Sequence, residues 1–191
     1  METSEQVAIA QVRAGYTEAF RVLVERHSRG LFRLAWRMTG NRQDAEDVVQ
    51  ETFLRAYRQL RRFDGRASFG TWLHRIAANR ALDLVRARKL REAHRPRADE
   101  EESDPLAGLP GGEPGPERLA MSGEVQRKLA EAMDRLSADE RAAFVLRHFE
   151  GVSSEDIGRA LGVHPVTARQ AVFRAVQKLR RSLEPLMGTG I

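Results

Sequence analysis

The stretch VSSEDIGRALGVHPVTARQAVFRAVQKLRRSL, Val152 to Leu183, decides the fold. Ser153 stands three residues before Asp156, so a side-chain acceptor and an acid flank the first turn of a short helix over 155–161. Gly162 predicts a turn, and Pro165 opens a longer helix at a position where its missing N–H costs no hydrogen bond. This order of elements predicts a helix-turn-helix. At 100° per residue, Ala168, Val172, Val176, Leu179 and Leu183 fall on one stripe of the second helix, predicted as core. Thr167, Gln170, Arg174, Gln177 and Arg181 lie opposite. Gln and Arg carry the paired donors and acceptors that match adenine and guanine edges in a major groove, so Thr167, Gln170 and Arg174 are candidate base readers. Arg169, Lys178 and Arg181, with His164 at the turn, are candidate contacts to the rest of the duplex.

Upstream of this segment, Arg95 to Glu117 holds five of the seven prolines and an acidic run. It has too few large apolar residues to offset the entropy of ordering, and reads as a flexible acidic Pro/Gly-rich linker. Before it the periodicity is again helical, with starts expected at Thr17 and Asn41; a further start is expected at Ser137 beyond it. The expected fold is all-α: a first helical domain over 1–94, the linker over 95–117, and a second domain over 118–191 containing the helix-turn-helix.

Two helices of the first domain carry faces that a core does not require. In DAEDVVQETFLRAYRQL, Ala45, Val49, Phe53, Ala56 and Leu60 form the buried side, leaving Asp47, Glu51, Leu54 and Arg58 opposite. An apolar anchor among charges suits a protein interface. In SFGTWLHRIAANRALDLVRARK, Phe69, Leu73, Ile76, Ala77 and Leu84 form the core stripe, and Arg80 and Asp83 are spaced to pair. Arg75, Asn79 and Arg86 recur at four and seven residues, with Trp72 bordering them; cations beside an aromatic suit a single-stranded nucleic acid.

The charge agrees. Net charge is +5, yet seven acids sit within Asp99–Glu117 without a single Lys or Arg, so the remainder sets 32 cations against 20 acids. That favours a polyanionic partner. Without cysteine there are no disulfides or thiolate metal sites. No apolar run approaches the ~20 residues that span a bilayer, no secretion signal opens the chain, and a cytoplasmic location is expected. His27, His74, His94, His148 and His164 are scattered without metal-ligand spacing, and GGEPG falls in the linker, away from any strand-to-helix turn. Neither a metal, a cofactor nor catalysis is expected.

Taken together, DAEDVVQETFLRAY, RFDGRASFGTWLHRIAANRALDLVR and LSADERAAFVLRHFEGVSSEDIGRALGV, in that order with the linker between, resemble the extracytoplasmic-function group of the sigma-70 family of bacterial transcription initiation factors. The resemblance implies that the helix with Asp44, Asp47, Gln50, Glu51, Leu54 and Arg58 docks on the β′ clamp helices of core RNA polymerase. It implies that the loop from Phe63 through Asp64 to Ser68, and the helix carrying Phe69, Trp72, Arg75, Asn79, Arg80 and Arg86, capture the unwound −10 strand of promoter DNA. The second domain would read the −35 duplex and touch the β flap, the linker would thread toward the transcript channels, and an anti-sigma factor would control the protein. Where the family commonly has Gly-Thr-Val-Lys-Ser-Arg after a proline, Val166-Thr167-Ala168-Arg169-Gln170-Ala171 stands here, with Ala171 in place of Arg. On the residues alone, a free-standing helix-turn-helix regulator that binds duplex DNA unaided is the alternative.

Overall fold

A computed structural model describes residues 4–93 and 116–187, and every regular element among them is helical. In the first unit α1 (Ser4–Arg13) leads through a 3-10 turn (Thr17–Ala19) into α2 (Phe20–Thr39). There follow α3 (Arg42–Gln59), a second 3-10 turn (Leu60–Arg62) and α4 (Phe69–Ala93). The second unit comprises α5 (Pro116–Asp134), α6 (Ala138–His148), α7 (Ser154–Leu161) and α8 (Pro165–Met187). The expected linker lies outside the described residues except for Pro116 and Glu117, which open α5.

Three of the four expected helix starts form. Asn41 accepts from the Asp44 amide and donates its own amide to the Asp44 carboxylate at 2.7 Å. Ser137 and Glu140 close a reciprocal capping box, and Ser153 accepts from the Asp156 amide. Thr17 corrects the fourth: it begins the 3-10 turn, makes no side-chain cap, and α2 starts at Phe20.

The first core is α2, α3 and α4 packed through Leu23, Leu31, Leu34, Ala45, Val48, Ala56, Leu73 and Ala77, all fully buried. On α4 the stripe is wider than its spacing suggested: Ala78, Ala81, Leu82 and Val85 are also buried, whereas Ile76 and Leu84 lie at the edge. In the second unit Ala168, Ala171, Ala175 and Leu179 of α8 pack on α6 and α7. The turn between α7 and α8 is tight. Gly162 adopts a left-handed φ of 68°, and a Cβ on Gly158 would lie 2.8 Å from the Val163 carbonyl oxygen, so neither position has room or conformation for a side chain.

The two units dock directly, α6 and α7 against α2 and α4. Buried Arg141 donates to the Arg37 carbonyl and to Asp134, both at 2.7 Å, which offsets the cost of burying a cation. Arg86 meets Asp139 at 2.5 Å, and Lys89 donates to the Leu136 carbonyl at 2.9 Å. Glu150 is held by His74 at 3.0 Å and Arg37 at 3.9 Å, while the Arg37 guanidinium lies 4.0 Å from the Phe149 ring centre. Burial lowers the His74 pKa from its ordinary 6.5, opposed by Glu150 and aided by His27. Of these charges only Glu150 comes from the second unit, and it favours the protonated imidazole. Glu150→Gln is expected to loosen the docking, read as a drop in energy transfer between dyes on the two units, because it removes the carboxylate that both His74 and Arg37 meet.

Candidate nucleic-acid interface

The region from Phe63 to Trp72 is built on an aromatic wedge. Phe63 packs against Phe69 at 5.5 Å and Trp72 at 5.2 Å, and Phe69 against Trp72 at 5.6 Å between ring centres. Phe69 is 1% exposed and braced from below by His27, so it is a core residue and does not reach nucleic acid; this corrects its place among the DNA contacts. It sets the height at which the half-buried rings of Phe63 and Trp72 meet the surface. Between them Asp64, Gly65, Arg66 and Ala67 form an exposed loop, pinned where the Asp64 carboxylate accepts from the Arg66 amide and where Ser68 accepts from the Thr71 amide at 3.1 Å.

Beyond the wedge, α4 presents Arg75, half-buried, and Asn79, exposed, on one line. Arg86 continues it but is engaged by Asp139 of the second unit. Arg80 does not belong to this face. It is half-buried, and its charge helps lower the pKa of Glu51 on α3; its Nε is buried without a hydrogen-bond partner, and the expected pair with Asp83 does not form.

On α3 the outer face emerges as read. Asp47, Leu54 and Arg58 are exposed, and Leu54 flanks a shallow apolar groove formed by Phe20, Val24, Gln50, Phe53 and Tyr57. Phe20 and Tyr57 meet edge to face at 5.2 Å. The α2 contributions to this groove were not legible, because nothing in the α3 spacing reports what packs beside it. The acids differ in state. Asp44 is occupied by the helix cap and, at 3.4 Å, by Arg88. A 2.6 Å hydrogen bond from Arg55 holds the Glu51 carboxyl below its usual range, with the charges of Arg55, Arg80 and Arg58 adding to it. Asp47 has no ion-pair partner among the described residues.

In the second unit, Thr167, Arg169, Gln170, Arg174 and Arg181 of α8 are all exposed, on the side away from the core. His164 precedes them as a helix cap, its Nδ1 accepting from the Val166 amide at 3.3 Å. Ala171 is 4% exposed, so the departure from the family at this position falls on the packed side of α8. Sequence reasoning placed Glu140 only at the start of α6, after Ser137, and missed its contacts with α8. Its carboxylate, 6% exposed, accepts from Lys178 at 2.7 Å and lies 3.4 Å from Arg174, and these contacts together with Ser137 keep its pKa low against the opposing effect of burial. Lys178 is thus a structural cation first, whereas Gln170 makes no side-chain hydrogen bond among the described residues.

Among the described residues no cluster of acids and histidines is arranged to hold a metal, and no helix is long and apolar enough to cross a membrane. Comparison with known proteins matches residues 23–91 to the sigma-70 region 2 family and residues 126–179 to the sigma-70 region 4 family. The chain is 40% identical over 159 residues to the ECF RNA polymerase sigma factor SigE of Mycolicibacterium smegmatis, spanning 83% of this chain and 59% of that one. It is 33% identical over 188 residues to the RNA polymerase sigma-H factor of Pseudomonas aeruginosa, spanning 97% of both. Among solved structures it is similar to CnrH in complex with the cytosolic domain of CnrY, with a TM-score of 0.63 and 25% identity, covering 96% of this chain and 99% of that one.

Lys178→Met is expected to destabilise the second unit by ~1–3 kcal/mol, because it strands a buried carboxylate, and Gln170→Ala to change stability by less than ~0.5 kcal/mol. Urea unfolding of both variants checks the contrast.

Proposed function

We propose a division of labour along this chain, which belongs to the extracytoplasmic-function group of the sigma-70 family. It is a sigma factor that directs core RNA polymerase to promoters. The observation that carries the assignment is that the two family matches fall on the two helical units, one on each, and each unit exposes a face suited to nucleic acid.

In this reading the first unit, 1–94, docks through Asp47, Glu51, Leu54 and Arg58 onto the β′ clamp helices. Leu54 supplies the apolar anchor beside the groove, and Asp47 is the acid with the least to give up. Asp44 and Gln50 frame the same helix. The wedge of Phe63 and Trp72, the loop through Asp64 and Ser68, and Arg75, Asn79 and Arg86 receive the −10 single strand. Unpairing a base costs a few kcal/mol, and contacts available only to the extruded base recover it. The second unit, 118–191, reads the −35 duplex through Thr167, Gln170 and Arg174, with Arg169 and Arg181 at phosphates, and touches the β flap.

Catalysis stays with the polymerase; this chain contributes binding alone, and acts in the cytoplasm. For Arg86 to reach DNA it must leave Asp139, so promoter engagement opens the docked units. An anti-sigma factor that covers both units, as the cytosolic domain of CnrY is bound to CnrH, would act on the same surfaces.

Transcription by bacterial core polymerase on genomic fragments, with 5′ ends mapped, tests the reading. New starts sharing two upstream elements are expected; none, together with operator binding by the protein alone, would favour a free-standing regulator. Changing Asp47 and Glu51 together to Lys is expected to abolish polymerase binding with helicity unchanged. Arg174→Ala is expected to weaken initiation by ~1–3 kcal/mol on promoters carrying the preferred −35 base and far less on others.

A further inference from the structure

Arg13 ends α1, and its guanidinium leaves that helix to serve another part of the fold. Nε and Nη2 donate to the Leu60 carbonyl at 3.2 and 3.1 Å, and Nη2 donates to the Phe63 carbonyl as well. The guanidinium carbon stands 5.9 Å from the centre of the Phe63 ring. These carbonyls lie where the 3-10 turn after α3 gives way to extended backbone at Phe63, with φ −68° and ψ 111°. The Leu60 carbonyl accepts from the Phe63 amide at 3.2 Å as well as from Arg13, the Phe63 carbonyl lies past the end of the segment, and a cation there also meets the negative end of the helix dipole. One planar, forked donor group therefore fixes the backbone on both sides of the turn and touches the ring that the turn presents.

The placement matters because Phe63 begins the exposed loop. At its far end the loop is held by the Ser68 cap and by buried Phe69. At its near end the side-chain hydrogen bonds come from α1, which lies outside the segment matched to the family and is anchored by buried Ala8 and Ile9. Other exposed cations of the first unit have different work or none: Arg21 pairs with Glu25 on its own helix, and Arg66 with Asp64 inside the loop.

We infer that Arg13 is a positioning residue for −10 strand capture, holding Phe63 and the entry of the Phe63–Ser68 loop in register with Trp72. This rests on the reading of that loop as the single-strand site. Arg13 acts through the carbonyls and the ring and makes no phosphate contact of its own. Lysine at this position keeps the charge but not the fork, so it does not restore function.

The test uses holoenzyme assembled from the full chain and core polymerase, and a forked probe with a single-stranded −10 segment. Arg13→Ala and Arg13→Lys are both expected to weaken probe binding roughly tenfold, the scale of a misplaced recognition element, with polymerase affinity and melting temperature unchanged. The salt dependence of probe binding is expected to keep its wild-type slope, since no phosphate contact is lost. Full activity of Arg13→Lys with a slope reduced by about one in Arg13→Ala would make Arg13 a phosphate contact and overturn the inference. Wild-type probe binding by Arg13→Ala would overturn it too, as would a loss matched by falling polymerase affinity or melting temperature. Phe63→Ala serves as reference: if it binds the probe normally, the reading of the loop fails and the inference with it, whereas weak binding by Phe63→Ala beside normal binding by Arg13→Ala removes the inference alone.

Discussion

The first unit depends on how closely α4 can approach two other helices at once. Ala35 on α2, Ala45 and Ala56 on α3, and Ala77, Ala78 and Ala81 on α4 are all completely buried. Small side chains at the crossings let backbones come near, and the leucines around them fill the space that remains, as close-packed interiors require. Because α4 packs on both α2 and α3, most of its circumference is used. The positions left over along one line are Trp72, Arg75, Asn79, Asp83 and Arg86, and they line up because the buried positions do. The nucleic-acid face is in this sense the complement of the core, and a larger residue at Ala77 or Ala78 would move both together.

The second unit is organised by charge to a greater extent. Glu140 and Arg141 are neighbours on α6, both nearly buried, and they serve opposite directions. Glu140 closes the α6 cap and holds Lys178 of α8; Arg141 reaches across to the Arg37 carbonyl of α2. Removing the partners of either would leave a buried charge without compensation, which costs far more than the loss of an exposed pair. One helix thus sets the orientation of the recognition helix and the docking of the two units.

Much of this was legible from sequence because it is local. Caps at Asn41, Ser137 and Ser153, the glycine turn and the proline start are each specified within four residues, and periodicity places Ala45, Phe53 and Ala56 of α3, and Leu60 just after it, in the core. On α8 it finds Ala168 and Leu179, but Ala171 and Ala175 are buried where Val172, Val176 and Leu183 are only partly so. What failed was non-local. The spacing of α4 puts Phe69 in the core, where Phe63, Trp72 and His27 enclose it, but the resemblance also implies a DNA contact there, which its burial contradicts. Arg80 is spaced to pair with Asp83, but the pair does not form and its Nε is buried without a hydrogen-bond partner. Glu140 was legible only as the cap partner of Ser137; its contact with Lys178, and those of Arg141 with Arg37, Glu150 with His74 and Arg13 with Leu60, span more than 30 residues, and no periodicity along one helix records them.

The same separation of faces explains how the recognition helix departs from its family without harm to the fold. Gly158, Gly162 and Ala171 are fixed by a close backbone contact, a left-handed φ and burial, and each is bound to the geometry of the turn. Thr167, Arg169 and Gln170 are exposed and make no side-chain hydrogen bonds among the described residues. Substitution at such positions costs the fold little, typically within about 0.5 kcal/mol, while a base contact is worth ~1–3 kcal/mol. On the proposed reading of α8, promoter preference can therefore change at Thr167 and Gln170 without a compensating change in the core. Arg174 and Lys178 are less free, because each also neutralises Glu140, and a change there alters stability and recognition together.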